Sequence, residues 1–263
     1  MVGCSKQEEI VPAPPPAQEM ERETPPENTE GENKPTEEIK EDIFHYGESG
    51  NLPYRILLPR RYDSAQQYPL HLFLHGMGER GTDNEKHLSI GAKRFLADSI
   101  RTKYPAIIVY PQCPPTGFWF DENIIGRLKV LIDTLRKQYG VNENHISIGG
   151  FSMGAYGTFE MVAKYPGLFE AAVAISGAAD EEDAWLMAGS RWQIFAAKKD
   201  EIVPSIRTEK IVEALQKAGA AVSFTLYPDA SHENTWVHAL SEPELFKWLF
   251  PSDDENASDH ASN

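Results

Sequence analysis

The chain has 263 residues, 41% of them hydrophobic and 10% aromatic, enough to bury one sizeable core or two small ones. Lys plus Arg number 25 against 40 Asp plus Glu, and a net charge of −15 repels a phosphate backbone, which argues against nucleic acid as a partner. No stretch approaches the ~18 apolar residues that span a bilayer, and two cysteines, Cys4 and Cys113, make no disulfide framework.

The charge is uneven along the chain. Residues 1–42 hold 12 Asp or Glu against four Lys or Arg, together with seven prolines and no aromatic residue. Such a segment cannot bury enough apolar surface to fold, and it reads as an extended acidic tether. Residues 251–263 hold four acids and no Lys or Arg and read as a second unstructured acidic segment. At the start, Met1-Val2-Gly3-Cys4-Ser5 resembles the end of a bacterial lipoprotein signal, although the charged and apolar regions of a signal peptide are missing. A disordered spacer directly behind Cys4 is what an anchored enzyme needs. Cys4 is therefore assigned as a lipid-attachment residue, with a membrane tether at the cell envelope or periplasm as the expectation and a cytoplasmic location as the alternative.

Residues 43–250 alternate short apolar runs with helical periods. Residues 54–58, 70–74 and 106–110 read as strands, with a helix over 87–104 between the second and third. Ile124, Leu128, Leu131 and Leu135 recur on one helical face, and Gly140 follows as a stop. A brief strand over 145–148 runs straight into Gly149-Gly150, and a helix over 153–165 follows without a gap. Residues 171–175, 193–196 and 222–226 are further strands, 206–218 is the helix before the last of them, and a final helix spans 236–249. Strands alternating with helices imply a mostly parallel sheet covered on both faces, an α/β architecture whose chemistry gathers at the carboxyl ends of the strands.

At those ends the residues are specific. Gly150-Phe151-Ser152-Met153-Gly154 is a G-x-S-x-G between strand and helix, the context of a nucleophile elbow. A serine hydroxyl needs a base, and the base needs an orienting acid. Asp200 follows the strand 193–196, with Glu201 beside it separated only by orientation; His232 follows the strand 222–226, with His238 as its rival on the final helix. Ser152, Asp200 and His232 are thus the catalytic candidates. An oxyanion site needs two N–H donors: Met153 follows the nucleophile, and Met77 lies in the glycine-rich loop after strand 70–74. Phe118, Trp119 and Phe120 suit either an acyl wall or packing; Trp119 and Trp236 are the residues assigned to substrate binding. Cys113 reads as a buried loop cysteine. The eight histidines show no metal-ligand spacing, and neither metal nor other cofactor is expected.

The segments Leu74–Gly81 (LHGMGERG), Pro111–Pro114 (PQCP), Gly150–Gly154 (GFSMG), Lys164–Phe169 (KYPGLF), Asp200–Pro204 (DEIVP) and His232–Trp236 (HENTW) resemble one branch of the α/β-hydrolase esterases, the phospholipase/carboxylesterase-like, polyhydroxybutyrate-depolymerase-like and "predicted peptidase" proteins. The resemblance covers roughly 43–250 and implies an α/β-hydrolase fold in which Ser152, Asp200 and His232 are nucleophile, acid and base. It implies a serine ester hydrolase acting on small acyl or hydroxycinnamoyl esters, such as those on polysaccharides. Extracellular relatives with an extra N-terminal β domain differ here, since the opening segment is short. A prolyl-oligopeptidase-like peptidase shares the triad but gates its site with a large domain that 42 residues cannot build. A binding module that kept the fold but lost activity is the remaining alternative.

Overall fold

The computed structural model describes residues 43–50 and 52–251. The expectations for the acidic segments, and for Cys4, lie outside the described residues. Eight strands among the described residues form one sheet in the order β1-β2-β4-β3-β5-β6-β7-β8: β1 His45–Ser49, β2 Leu52–Leu57, β3 Tyr68–Leu74, β4 Ile107–Pro111, β5 Val141–Phe151, β6 Ala171–Ile175, β7 Arg191–Ala197 and β8 Val222–Tyr227. The two pairs involving β2 are antiparallel, and the rest of the sheet is parallel.

Successive strand residues feed two cores. Leu70, Leu72, Leu74, Ile146, Ile148, Ala172, Ala174 and Ile194 face one side. There they meet helices α3 (Glu122–Gln138), α4 (Met153–Lys164) and α5 (Ser205–Lys217) through residues such as Leu128, Leu131, Phe159, Ile211 and Leu215. Phe73, Ile108, Tyr110, Val173, Ile175 and Phe195 face the other side, under Phe95 of α1 (Ala92–Phe95), Ala239 of α6 (His232–Ala239) and Phe246 of α7 (Leu245–Leu249). Burial on both faces is why these strands read as unbroken apolar runs.

The helix expected over 87–104 is broken into a 3-10 turn over Lys86–Ser89, then α1, then α2 (Asp98–Lys103). Gly91 sits at φ +78° where a Cβ would stand 2.3 Å from Leu240, and Ala97 is extended, so neither position can continue a helix. The final helix begins four residues earlier than the periodicity suggests, at His232. Ser231 caps it, its amide donating to Asn234 Oδ1 at 2.9 Å. It ends before Pro243, and α7 is separate. The 3-10 segment Glu181–Met187 and strand β1 carry too little apolar periodicity to be read from sequence. In β1, Gly47 lies across from Tyr54, whose ring would overlap any Cβ there.

Candidate active site

β5 delivers Ser152 into a turn that only particular neighbours allow. Ser152 has φ +54° and ψ −120°, a strained conformation for a residue with a side chain, held by its amide donating to Ile175 O at 2.9 Å. A Cβ on Gly150 would lie 2.3 Å from Gly154 O, and one on Gly154 would lie 1.9 Å from Leu74 O. Both glycines are therefore required by contact, and the second lets α4 start hard against the end of β3. Among the strands, β3 and β5 are paired with Leu74 opposite Gly150, so the loops after them open side by side.

Asp200 reaches the site because the loops after β7 and β8 are joined: Lys198 N donates to Tyr227 O at 2.9 Å and Lys199 N to Ala230 O at 3.3 Å. Its Oδ1 accepts from the amides of Ile202 (3.0 Å) and Val203 (2.7 Å), an Asx-type turn that a longer acid cannot make in the same way. Oδ2 is then left to face His232 Nδ1 at 2.7 Å. Because a carboxylate only accepts, Nδ1 carries the hydrogen, and Nε2 turns its lone pair to Ser152 Oγ at 2.8 Å. Asp200 and His232 are 6% and 7% exposed, whereas Glu201 is exposed. The Phe151 ring packs on the imidazole with centroids 5.0 Å apart. The structure thus brings together Ser152, His232 and Asp200 in the arrangement that lets a hydroxyl lose its proton to an oriented imidazole. His232, which follows β8, is the first residue of α6, and its rival His238, further along that helix, packs beside Tyr227.

The two oxyanion candidates both open helical turns. Met153 is the first residue of α4, and Met77 opens the 3-10 turn Met77–Glu79. Among the described residues neither amide has a backbone acceptor, as befits first-turn N–H groups. Met77 is tied through its carbonyl to Arg80 Nε at 3.2 Å, and Arg80 reaches Gly117 O at 3.2 Å.

Of the two uses the sequence allowed for Trp119, substrate wall or packing, the structure places its side chain in packing. It is fully buried, its indole N–H donates to His75 O at 2.9 Å, and its ring meets His75 edge-on at 5.0 Å. Gly157 of α4 lies directly beneath it, since a Cβ there would sit 2.3 Å from Trp119 Cβ. The exposed neighbour is Phe120, stacked on Phe118 and edge-on to Tyr156 at 6.3 Å. Trp236 is half-buried on α6 against the apolar cluster under α6 and α7. Cys113 is buried, with its thiol pushed up to about 12 by desolvation. Sequence reasoning missed the side chain of His75, the ring of Phe151 and the loop ties of Arg80 and Gln112. Gln112 is fully buried; its Oε1 accepts from Asn84 N at 2.6 Å and its Nε2 donates to Glu79 O at 3.2 Å. A polar residue next to a strand-ending proline was the only signal for it.

Comparison with known proteins agrees with this geometry. The model of the phospholipase/carboxylesterase family matches residues 63–241. A thermostable esterase of known structure is 29% identical over 81% of this chain with a TM-score of 0.70, and the match spans 63% of that protein. A ferulic acid esterase is 18% identical with a TM-score of 0.64, covering 79% of this chain and 96% of that one. The dipeptidyl peptidase 4 of Porphyromonas gingivalis is 16% identical with a TM-score of 0.61, covering 79% of this chain and 35% of that one. The last two show the fold alone. With the family match running from the loop before β3 to the end of α6, and with Ser152, Asp200 and His232 converging at the carboxyl edge of the sheet, the chain belongs to the phospholipase/carboxylesterase family of α/β-hydrolases.

Proposed function

We propose that this hydrolase is a serine carboxylic-ester hydrolase that works through an acyl-enzyme on small acyl or hydroxycinnamoyl esters. The observation that carries the reading is the unbroken chain of hydrogen bonds from Asp200 Oδ2 through His232 to Ser152 Oγ, 2.7 and 2.8 Å. Ser152 attacks the ester carbonyl as His232 Nε2 takes its proton. The imidazolium, stabilised by Asp200, returns that proton to the leaving alcohol. Water then attacks the acyl carbon as His232 takes its proton, and the imidazolium returns that proton to Ser152 Oγ as the bond to the acyl group breaks and the acid leaves. The amides of Met77 and Met153 receive the oxyanion in both halves, each worth ~3 kcal/mol.

Hydrolysis of p-nitrophenyl acetate, butyrate and octanoate and of methyl ferulate, with Ser152→Ala alongside, tests the reading. Turnover lost in Ser152→Ala is expected, and the ranking of esters sizes the acyl site. No turnover above Ser152→Ala on any ester overturns it and leaves a peptidase or binding module. We further propose that the enzyme is tethered at the cell envelope through lipidated Cys4, a reading supported by the lipoprotein-like Val2-Gly3-Cys4 and the acidic, proline-rich spacer behind it. Labelling by a fatty-acid probe in a bacterial host, with a lipoprotein signal peptide supplied ahead of Gly3-Cys4, tests that placement: label lost in Cys4→Ala is expected, and no label on the native sequence overturns it.

A further inference from the structure

His75, at the junction of β3 and the loop toward Ser152, has no place in the proton relay. It is nevertheless fully buried, and its two partners fix its proton. Nδ1 lies 2.6 Å from the Gly76 carbonyl oxygen, which can only accept, so Nδ1 carries the hydrogen. Nε2 lies 3.0 Å from the Cys113 amide, which can only donate, so Nε2 presents its lone pair. The ring is thereby a neutral Nδ1–H tautomer, and burial pushes its pKa down to about 3. The Trp119 indole, bonded to the His75 carbonyl and edge-on to its ring, closes the same pocket.

The carbonyl that His75 holds belongs to the same peptide unit as the Met77 amide. In a trans peptide C=O and N–H point in opposite directions, so fixing the Gly76 oxygen on the His75 side turns the Met77 hydrogen away from it. Met77 is flanked by Gly76 and Gly78, and no atom lies within 4 Å of a Cβ built on Gly78. Glycines on both sides lower the conformational cost of turning this peptide, so its orientation depends on the partners that hold it, among which the His75 ring bonds the Gly76 oxygen directly. The loop itself runs beside the nucleophile turn: a Cβ on Gly76 would meet the Phe151 ring at 3.4 Å, and one on Gly154 would meet His75 O at 2.9 Å.

We propose that His75 is a positioning residue for catalysis, whose Nδ1–H bond to Gly76 O holds the Gly76–Met77 peptide with the Met77 N–H toward the oxygen that becomes negative. Cys113 N–H sets the tautomer, and thus acts on the oxyanion site through His75. This inference rests on the acyl-transfer reading above. The bond is made to no reacting atom, so its loss affects the transition state and leaves ground-state binding almost unchanged.

The test compares His75→Asn and His75→Gln in the full chain with p-nitrophenyl acetate and with a boronic acid that forms a tetrahedral serine adduct. An Asn amide can place its nitrogen where Nδ1 stands and donate to Gly76. A Gln amide reaches the position of Nε2 and restores only the Cys113 contact. His75→Gln is expected to lose ~10²-fold or more in kcat with KM within about threefold, and to lose boronate affinity in parallel, whereas His75→Asn stays within about tenfold of the native enzyme. Equal losses in the two variants at matched melting temperature, or a loss confined to KM, overturn the proposal. If both variants fail to fold, the native protein decides. The Met77 amide proton should move downfield and resist exchange in the boronate adduct, and an unmoved Met77 resonance overturns the proposal. Native turnover that vanishes in Ser152→Ala is read first. Without it the parent reading fails and this inference falls with it, whereas turnover combined with equal Asn and Gln variants sinks this inference alone.

Discussion

Replacing Asp200 by Asn changes one atom and should nearly silence the enzyme. The Oδ1 position is held by two backbone donors, Ile202 N at 3.0 Å and Val203 N at 2.7 Å, so an amide nitrogen cannot be placed there without setting hydrogens against hydrogens. The Asn oxygen must take that place, and its NH2 group must face His232 Nδ1, where the carboxylate oxygen stood at 2.7 Å. His232 Nδ1 then has to accept, its hydrogen moves to Nε2, and Nε2 can no longer take a proton from Ser152. The wrong tautomer costs about 10⁴ in kcat, which is about 5.5 kcal/mol of barrier, the size of effect seen for the corresponding change in serine proteases. Steady-state hydrolysis of p-nitrophenyl acetate, with thermal melting to show that the fold is kept, measures it. Glu201→Gln, at an exposed side chain, serves as the control and should leave kcat within twofold. A loss of less than about tenfold in Asp200→Asn, or an equal loss in Glu201→Gln, would refute the assignment of the acid.

Gly154→Ala should cost about 1–3 kcal/mol or more of stability and most of the activity, because its Cβ would stand 1.9 Å from Leu74 O, while Gly78→Ala, with open space around it, should melt like the native protein. Equal melting temperatures for the two would refute that contact argument. Trp119→Phe leaves His75 O without its 2.9 Å donor and should destabilise by about 1–3 kcal/mol with KM unchanged; a raised KM at native stability would restore Trp119 to the substrate wall. Burial holds His71 and His75 at about 3 and His87 at about 4, below the ordinary 6.5. Their folded values are depressed, so the unfolded chain binds more protons, and stability falls as pH drops from about 6.5 toward 4. Each site contributes a slope of up to about 1.4 kcal/mol per pH unit. Melting temperatures from pH 7 to pH 4.5 should show this loss, and His71→Leu should flatten the slope by about one proton; an unchanged slope would contradict the linkage.

What could be read from the sequence was local in kind. Gly150-Phe151-Ser152-Met153-Gly154 carries its own geometry, since two glycines at that spacing are demanded by contacts within a single strand-turn-helix unit. The apolar runs of β3 to β7 were legible because both faces of the sheet are covered. The rest depended on partners distant in sequence. Asp200 differs from Glu201 only in which side chain turns back onto the amides of Ile202 and Val203. The burial of Trp119 follows from its bond to the His75 carbonyl 44 residues away, which no property of Phe118-Trp119-Phe120 could announce. The break at Gly91 was written in a glycine, but a glycine within a helical period is tolerated often enough that the approach of Leu240 was needed to decide it. The early start of α6 was a capping signal, Ser231 followed three residues later by Asn234, that the apolar pattern from Trp236 onward obscured.

Capture of the acyl-enzyme tests the central claim most directly. Turnover of p-nitrophenyl acetate is stopped in acid within the steady state, the protein is digested, and the peptides are weighed. The account requires one acetyl group on the peptide carrying Ser152, absent in Ser152→Ala and accumulating further in a variant with slowed deacylation. Release of p-nitrophenol with no acetyl group on Ser152, or at the native rate in Ser152→Ala, would contradict it.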